Sequence, residues 1–172
     1  MNESDIKEAF NATGPDIPSA IIVTLGATRA SGSPFAAVIA PPRLMADSHA
    51  NLVKAMKDYG IRKIVTMAAF GTAESLPYMT FLMRWLIKGS NLSYSYTDHN
   101  MVDKEMKESG MDYVLARPTR LTIGAAEPVK CYGNYGEGMG AMQSISRASV
   151  AVFLVDAVEN NTWDRSTPVI AN

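Results

Sequence analysis

Length, composition and charge exclude several classes of protein. At 172 residues with 47% hydrophobic residues, the chain suffices for one domain with a real core but not for two. A net charge of −1 argues against nucleic acid or an acidic membrane as the main partner. The only cysteine, Cys131, excludes an internal disulfide and indicates a reducing compartment. We therefore expect a single cytoplasmic domain over residues 1–172 that binds a small molecule.

Four strands and five helices alternate along the predicted chain. The expected helices cover residues 5–11, 48–59, 77–88, 98–109 and 147–159, with Ser4, Asp47 or Ser48, and Ser146 as caps. The expected strands cover residues 20–25, 61–67, 111–116 and 168–170. Strands that alternate with helices favour parallel pairing with right-handed crossovers. The pattern predicts an α/β three-layer sandwich with a mainly parallel sheet of about four strands.

The loops after the first three strands are the first candidates for a pocket wall. In an open α/β sheet, ligands bind beyond the carboxyl ends of the strands, and small residues there let the backbone approach a ligand closely. The predicted substrate-binding residues are Thr24, Gly26, Arg29, Ala68, Phe70, Arg117 and Thr119. The alternative is that these loops are ordinary connections and that Arg117 forms a structural ion pair.

Tyr94, Tyr96, Asp98 and His99 form the best candidate for a catalytic group. Histidine changes its charge near neutral pH, aspartate can act as a base, and a tyrosine hydroxyl can stabilise an oxyanion. The four residues lie where a polar segment enters the helix predicted over residues 98–109. The alternative is that Asp98 is the N-cap of that helix and that His99 is exposed in its first turn.

The other candidate residues are expected to have structural rather than catalytic roles. His49 is expected on the surface of a helix, and its spacing from His99 does not suit a pair of metal ligands, so we predict no metal site. Cys131 is expected to be a buried thiol. The glycine-dense stretch over residues 133–140 is expected to be a surface turn, with a phosphate-binding loop as the alternative. Glu105 and Asp103 are expected on a solvated helix face.

Four stretches of the sequence resemble a known family. They read I-I-V-T-L-G-A-T-R (21–29), K-I-V-T-M-A-A-F-G (63–71), D-Y-V-L-A-R-P-T-R-L-T (112–122) and I-S-R-A-S-V-A-V-F-L-V-D-A (145–157). In this order they resemble the atypical short-chain dehydrogenase/reductases, in particular the NAD(P)H-binding group of NmrA-like proteins and flavin/biliverdin-IXβ reductases. The resemblance implies a Rossmann-like sheet and an NAD(P)H-dependent activity.

The sequence also departs from that family in features that matter for catalysis. The family begins with a strand and a G-x-x-G-x-x-G loop for the cofactor diphosphate, whereas this chain begins with what resembles the helix before the fourth strand. Ala68 stands where relatives usually carry a serine, and no Tyr-x-x-x-Lys pair is evident. The expected fold is therefore a truncated Rossmann-like sandwich.

These departures favour an enzyme without a cofactor. In this interpretation a reductase pocket is re-used, and Tyr94, Tyr96, Asp98 and His99 move protons in an isomerisation, cyclisation or elimination of a small organic substrate. The first alternative is an NAD(P)H-dependent oxidoreductase of the atypical short-chain type. The second is a non-catalytic NmrA-like sensor or interaction protein. Fold analogy alone does not decide between these classes.

The missing first section has a consequence for association. In the family the first strand pairs beside the equivalent of residues 20–25, so here those residues are expected to form an edge strand. An exposed apolar edge promotes association. We therefore predict a homodimer that buries the strand from Ala20 to Leu25.

Overall fold

The computed structural model describes residues 2–172 and contains three layers. The helices are α1 (Glu3–Asn11), α2 (Leu44–Asp58), α3 (Phe81–Lys88), α4 (Leu92–Glu108) and α5 (Arg147–Glu159), with a 3₁₀ helix at Ala73–Tyr78. The strands are β1 (Ala20–Val23), β2 (Lys63–Met67), β3 (Asp112–Pro118), β4 (Arg120–Thr122), β5 (Lys130–Cys131), β6 (Ser144–Ser146) and β7 (Val169–Ala171). A central sheet separates α1, α2 and α4 from α5.

The central sheet has five strands in the order β1-β2-β3-β7-β5. The pairs β1–β2, β2–β3 and β3–β7 are parallel, and β5 is antiparallel to β7. The predicted α/β sandwich is therefore confirmed, and the four predicted strands form its parallel part. Strand β5 and the small parallel sheet β4–β6 were not expected, because strands of two or three residues carry no alternation that a sequence pattern could reveal.

The central strands β2 and β3 contribute side chains to two separate cores. Ile64 and Leu115 belong to the core under α2 and α4, whereas their neighbours Val65 and Val114 belong to the core under α5. All four side chains are almost fully buried. This alternation explains why the strands read as continuous apolar runs, as is typical of a parallel sheet covered on both faces.

Helix α4 begins at Leu92, six residues before the predicted start at residue 98. The segment before residue 98 is rich in serine and tyrosine, which have modest helix propensity, so its sequence resembles a loop. Packing of α4 against α2 and α3 overrides that propensity. The earlier start matters for the site, because it places Asp98 and His99 within the helix rather than at its entrance.

Other helix starts also differ from the prediction. Asn2, not Ser4, caps α1 by accepting a hydrogen bond from the Asp5 backbone N–H at 2.9 Å. Pro77 lies in the 3₁₀ helix, and α3 is capped by Thr80 instead. The predicted Ser146 cap of α5 is confirmed, because its side chain accepts from the Ser149 N–H.

Strand β1 lies at one edge of the central sheet, as predicted, and within residues 2–172 it pairs with β2 alone. Ile22 of this strand is 43% exposed. The thiol of Cys131 is exposed rather than buried, because β5 forms the opposite edge. Within residues 2–172, no helix combines the length and the apolar character needed to cross a membrane.

Candidate functional site

Two cavities lie at the carboxyl edge of the parallel strands, on either side of α4. The first, which we call the loop cleft, has a volume of about 600 Å³. It lies between the loop after β1 and α4 and is lined by Ala27, Val38, Ala40, Pro41, Pro42, Arg43, Asn91, Ser93, Tyr94, Thr97, Asp98 and Met101. The loop is shaped by an antiparallel bridge between Arg29 and Val38.

The second cavity, which we call the methionine pocket, has a volume of about 340 Å³. It opens where β2 and β3 end. It is lined by Ala69, Phe70, Tyr78, Met79, Thr80, Met83, Tyr96, Pro118, Thr119, Arg120, Met139, Gly140, Ala141, Met142 and Gln143. Four methionines and three aromatic side chains therefore surround one cavity. Methionine is flexible and polarisable, so such a wall adapts to a bulky apolar ligand.

The predicted catalytic group is divided by the periodicity of α4. Residues three and four apart share a helix face, whereas residues two apart point in different directions. Tyr94 and Asp98 line the loop cleft, and Tyr96 lines the methionine pocket. His99 shares the face of Val102 and Met106, which are buried in the core under α2 and α4. The structure therefore does not bring the four side chains together in one cavity.

Asp98 caps a neighbouring helix. Its two carboxylate oxygens accept hydrogen bonds from the backbone N–H groups of Met45 and Ala46, each at 2.9 Å. These groups belong to the first turn of α2, which has no side-chain cap of its own because the guanidinium of Arg43 at that position offers donors and no acceptor. A buried carboxylate at a helix N-terminus also interacts favourably with the helix dipole. The predicted caps Asp47 and Ser48 are therefore wrong: both lie inside α2.

His49 is buried rather than on the surface, because the face of α2 that carries it packs on β2. Its Nδ1 donates to the Met45 carbonyl oxygen at 2.7 Å, and its Nε2 then accepts from the Thr66 hydroxyl at 3.0 Å. Burial lowers the pKa of His49. Burial also lowers the pKa of His99 to about 4, so both imidazoles are neutral at pH 7.

Tyr96 is the one member of the predicted group with a hydroxyl at the methionine pocket. That hydroxyl donates a hydrogen bond to the Phe70 carbonyl oxygen at 3.1 Å. Burial raises the pKa of Tyr96, so the hydroxyl keeps its proton at neutral pH. It is therefore a hydrogen-bond donor, not a base, at the end of β2.

Arg117 is held by a buried ion network. Its side chain is completely buried, and one guanidinium nitrogen contacts Asp103 at 2.6 Å and Glu74 at 3.1 Å. A second nitrogen donates to the Asn134 carbonyl oxygen at 2.7 Å. Lys107 also pairs with both acids. Arg117 therefore forms the structural ion pair that was the alternative to ligand binding. Asp103 is therefore buried, not solvated as expected.

The other predicted binding residues lie along the same sheet edge. Thr24 and Gly26 are exposed after β1, and the Arg29 side chain donates to the Ser33 carbonyl oxygen at 2.6 Å. Ala68 and Phe70 continue β2, with their N–H groups bonded to the Ala116 and Pro118 carbonyls. Thr119 follows β3, and its buried hydroxyl has no hydrogen-bond partner among residues 2–172. Only Phe70 and Thr119 of this set line the methionine pocket.

Sequence reasoning missed the methionines of the pocket and Arg120. The methionines come from the 3₁₀–α3 connection (Met79), from α3 itself (Met83) and from the loop before β6 (Met139 and Met142). The eleven methionines of the sequence indicated such a wall, but their number does not show which of them line the same cavity. Arg120 was not predicted as a pocket residue because Arg117, three residues earlier, lies nearer the end of the predicted strand.

The parallel order and the cavities at the carboxyl edge define a Rossmann-like nucleotide-binding fold. The sequence model of the NAD(P)H-binding family matches residues 1–161. The chain therefore belongs to that family. No functionally curated protein matches the sequence significantly.

Solved structures of low sequence identity share the fold. ChuY, an anaerobillin reductase from Escherichia coli, has a TM-score of 0.71 at 18% identity, covering 98% of this chain and 70% of its own. A short-chain dehydrogenase/reductase from Veillonella parvula in complex with NADP has a TM-score of 0.68 at 16% identity, covering 100% of this chain and 69% of its own. These likenesses support the Rossmann-like fold.

The comparisons correct the expectation that the protein needs no cofactor. Membership of an NAD(P)H-binding family and an NADP-bound structural neighbour point to a nicotinamide cofactor. The expectation rested on the missing glycine-rich loop and on Ala68 in place of the family's usual serine. It gave too little weight to the strand ends of residues 24–27 and 68–71, which face the same edge whether or not that loop is present.

The described residues fit one end of a nicotinamide nucleotide better than the other. Ala68 and Ala69 present small side chains directly after β2, at the carboxyl edge of the sheet. These features suit the reacting ring. For the diphosphate, residues 133–140 form a turn after the antiparallel strand β5, and no helix begins there. Within residues 2–172, no glycine-rich turn therefore leads from a parallel strand into a helix as a diphosphate cradle requires. No described cluster of His, Cys, Asp or Glu suits a metal ion.

Proposed function

We propose that the protein is an NAD(P)H-dependent oxidoreductase that reduces a flat, conjugated small molecule held in the methionine pocket. The observation that carries this proposal is an adaptable apolar cavity at the carboxyl edge of a chain that belongs to an NAD(P)H-binding family. The anaerobillin reductase activity named for ChuY supports a bulky conjugated substrate, and so does the resemblance to flavin and biliverdin reductases.

The side chains of this chain have distinct tasks in the proposed reaction. The chemistry that NAD(P)H would supply when bound is hydride transfer, to one carbon of a conjugated double bond of the substrate. The Tyr96 hydroxyl, protonated at neutral pH, supplies the proton to the other end of the conjugated system and recovers it from water. The buried Phe70 and the half-buried Met79 and Met139 shield the substrate from water. His99 is not the acid, because its pKa of about 4 leaves the imidazole neutral.

The proposal is tested by nucleotide binding followed by turnover. We expect NADPH or NADH to bind the purified protein with a saturable isotherm in calorimetry, and biliverdin or a flavin to accelerate oxidation of the reduced nucleotide. Tyr96→Phe removes the hydroxyl and keeps the ring. It should lower the turnover rate by about 10²-fold, the lower end of general acid catalysis, with nucleotide affinity unchanged. Tyr94→Phe, on the opposite side of α4, is the matched control and should leave both unchanged.

A non-catalytic nucleotide sensor is the second candidate, and one observation favours it. Ala68 stands at the end of β2, where its methyl group offers no hydroxyl to a reacting carbonyl. A sensor should bind the nucleotide without oxidising it in the presence of any acceptor. Tyr96→Phe should then change nothing. Absence of binding to both nucleotides would contradict both candidates.

A further inference from the structure

We propose that Arg120 makes the methionine pocket selective for a substrate that carries a carboxylate. Arg120 is the first residue of β4, and its exposed side chain lines this pocket. The inference rests on the proposed function for its reaction, but the binding preference itself does not require a nicotinamide.

Arg120 differs from the other arginines near the sheet edge in having no partner. The guanidinium of Arg117 is held by Asp103 and Glu74, and that of Arg29 donates to the Ser33 carbonyl. The side chain of Arg120 has neither an ion pair nor a hydrogen bond among residues 2–172. A planar guanidinium presents two parallel N–H donors that match a carboxylate. The unpaired group is therefore available to a ligand.

The charge balance of the pocket reinforces this preference. Arg120 is the only formally charged side chain among the described residues that line the cavity, and no carboxylate is among them. Glu137 does not line the cavity, but its carboxylate accepts a hydrogen bond at 3.2 Å from the hydroxyl of Tyr78, which does. An anionic ligand thus meets one positive charge beside an apolar wall. A ligand with a flat apolar body and an acidic group at one end would match both the positive charge and the apolar wall.

Thr119 provides a second, independent observation. Its side chain is 92% buried, since its exposure is 8%, and it lines the same pocket. Its hydroxyl lacks a hydrogen-bond partner among residues 2–172, which is costly for a buried polar group. A ligand oxygen in the pocket would satisfy it. The structure therefore provides a charged donor and a neutral donor at consecutive positions.

The chemistry favours a carboxylate over a phosphate. Phosphate sites usually combine several backbone N–H groups or a helix N-terminus with their cations. Arg120 instead lies on a short strand paired with β6, and methionines and a threonine are its neighbours in the pocket. The phosphates of the nucleotide are the competing occupant, and the experiment includes them.

The test compares a flat aromatic acid with its neutral amide. We would titrate the protein, without nucleotide, with anthracene-9-carboxylate and with anthracene-9-carboxamide and follow their fluorescence. We expect the acid to bind about tenfold more tightly, in line with one charge-assisted hydrogen-bonded pair. Arg120→Gln should abolish that difference, Arg120→Lys should keep part of it, and high salt should reduce it.

Controls separate this inference from the proposed function. Lys104→Gln removes one positive charge from the exposed face of α4 and should leave the acid preference unchanged. NADPH affinity should be the same for Arg120→Gln as for the unchanged protein. A loss of NADPH affinity in Arg120→Gln would assign the arginine to the nucleotide phosphates and overturn the proposal.

Equal binding of acid and amide, or no binding of either, would overturn the proposal as well. An acid preference in a protein that oxidises no nucleotide would uphold the inference and reject the reductase.

Discussion

The loop cleft and the methionine pocket share helix α4 but use its polar residues in opposite ways. On the loop-cleft side, Asp98 is fully engaged in capping α2. On the other side, Arg120 and the Thr119 hydroxyl have no partners among residues 2–172 and line an apolar cavity. The comparison teaches that a conspicuous polar cluster can be structural, while polar groups without partners line a cavity in a region whose sequence looks merely apolar.

The largest expected effect, a loss of stability, comes from breaking the buried ion network of Arg117 between these regions. Asp103→Ala leaves the completely buried Arg117 with only Glu74 as an acidic partner. We expect the free energy of unfolding to fall by about 3 kcal/mol, because an undercompensated buried charge is costly. Chemical denaturation measures this. Asp47→Ala, which removes an exposed acid of α2, should cost much less, and equal effects would contradict the assignment.

The next effect tests the capping role of Asp98. Asp98→Ala should lower the free energy of unfolding by about 2 kcal/mol, the upper range for loss of a helix cap, because the Met45 and Ala46 N–H groups lose their acceptor. Denaturation of this variant and of Thr97→Ala, an exposed neighbour on the same helix, measures the difference. If Asp98 were catalytic instead, activity would fall in Asp98→Ala while stability stayed the same.

The buried histidines should make stability depend on pH. The pKa of His99 is lowered from an ordinary 6.5 to about 4, chiefly by burial. Between these values the unfolded chain binds more protons than the folded one, so the free energy of unfolding falls as the pH is lowered from about 6.5 to 4. His99→Gln should reduce the slope in this window. An unchanged slope would mean that His99 titrates normally.

The smallest effect on folding concerns the edge strand beside the loop cleft. The homodimer expected from the sequence remains a prediction, supported by the single partner strand of β1 and the exposure of Ile22. Light scattering should give twice the mass of one chain. Ile22→Lys should shift the protein to monomer and change the free energy of unfolding of the monomer by only about 0.5 kcal/mol. A monomer before substitution would reject the prediction.

The sequence by itself determined the parts of this protein that depend on local patterns. Apolar runs identified the four parallel strands of the central sheet, and Ser146 identified the start of α5, because a strand or a cap is specified by a few adjacent residues. The candidate pocket edge also followed, since the carboxyl ends of parallel strands meet on one side. Phe70 and Thr119, which line the methionine pocket, were predicted in this way.

Only the tertiary structure decided what the polar residues do. Asp98 caps a helix whose first turn lies more than fifty residues earlier, and no local pattern encodes such a partner. Arg117 and Arg120 lie three positions apart in one short motif, yet one is buried among acids and the other faces a cavity. Methionines from two separate segments form one wall. The physical reason is that pairing and burial depend on which distant segments pack together.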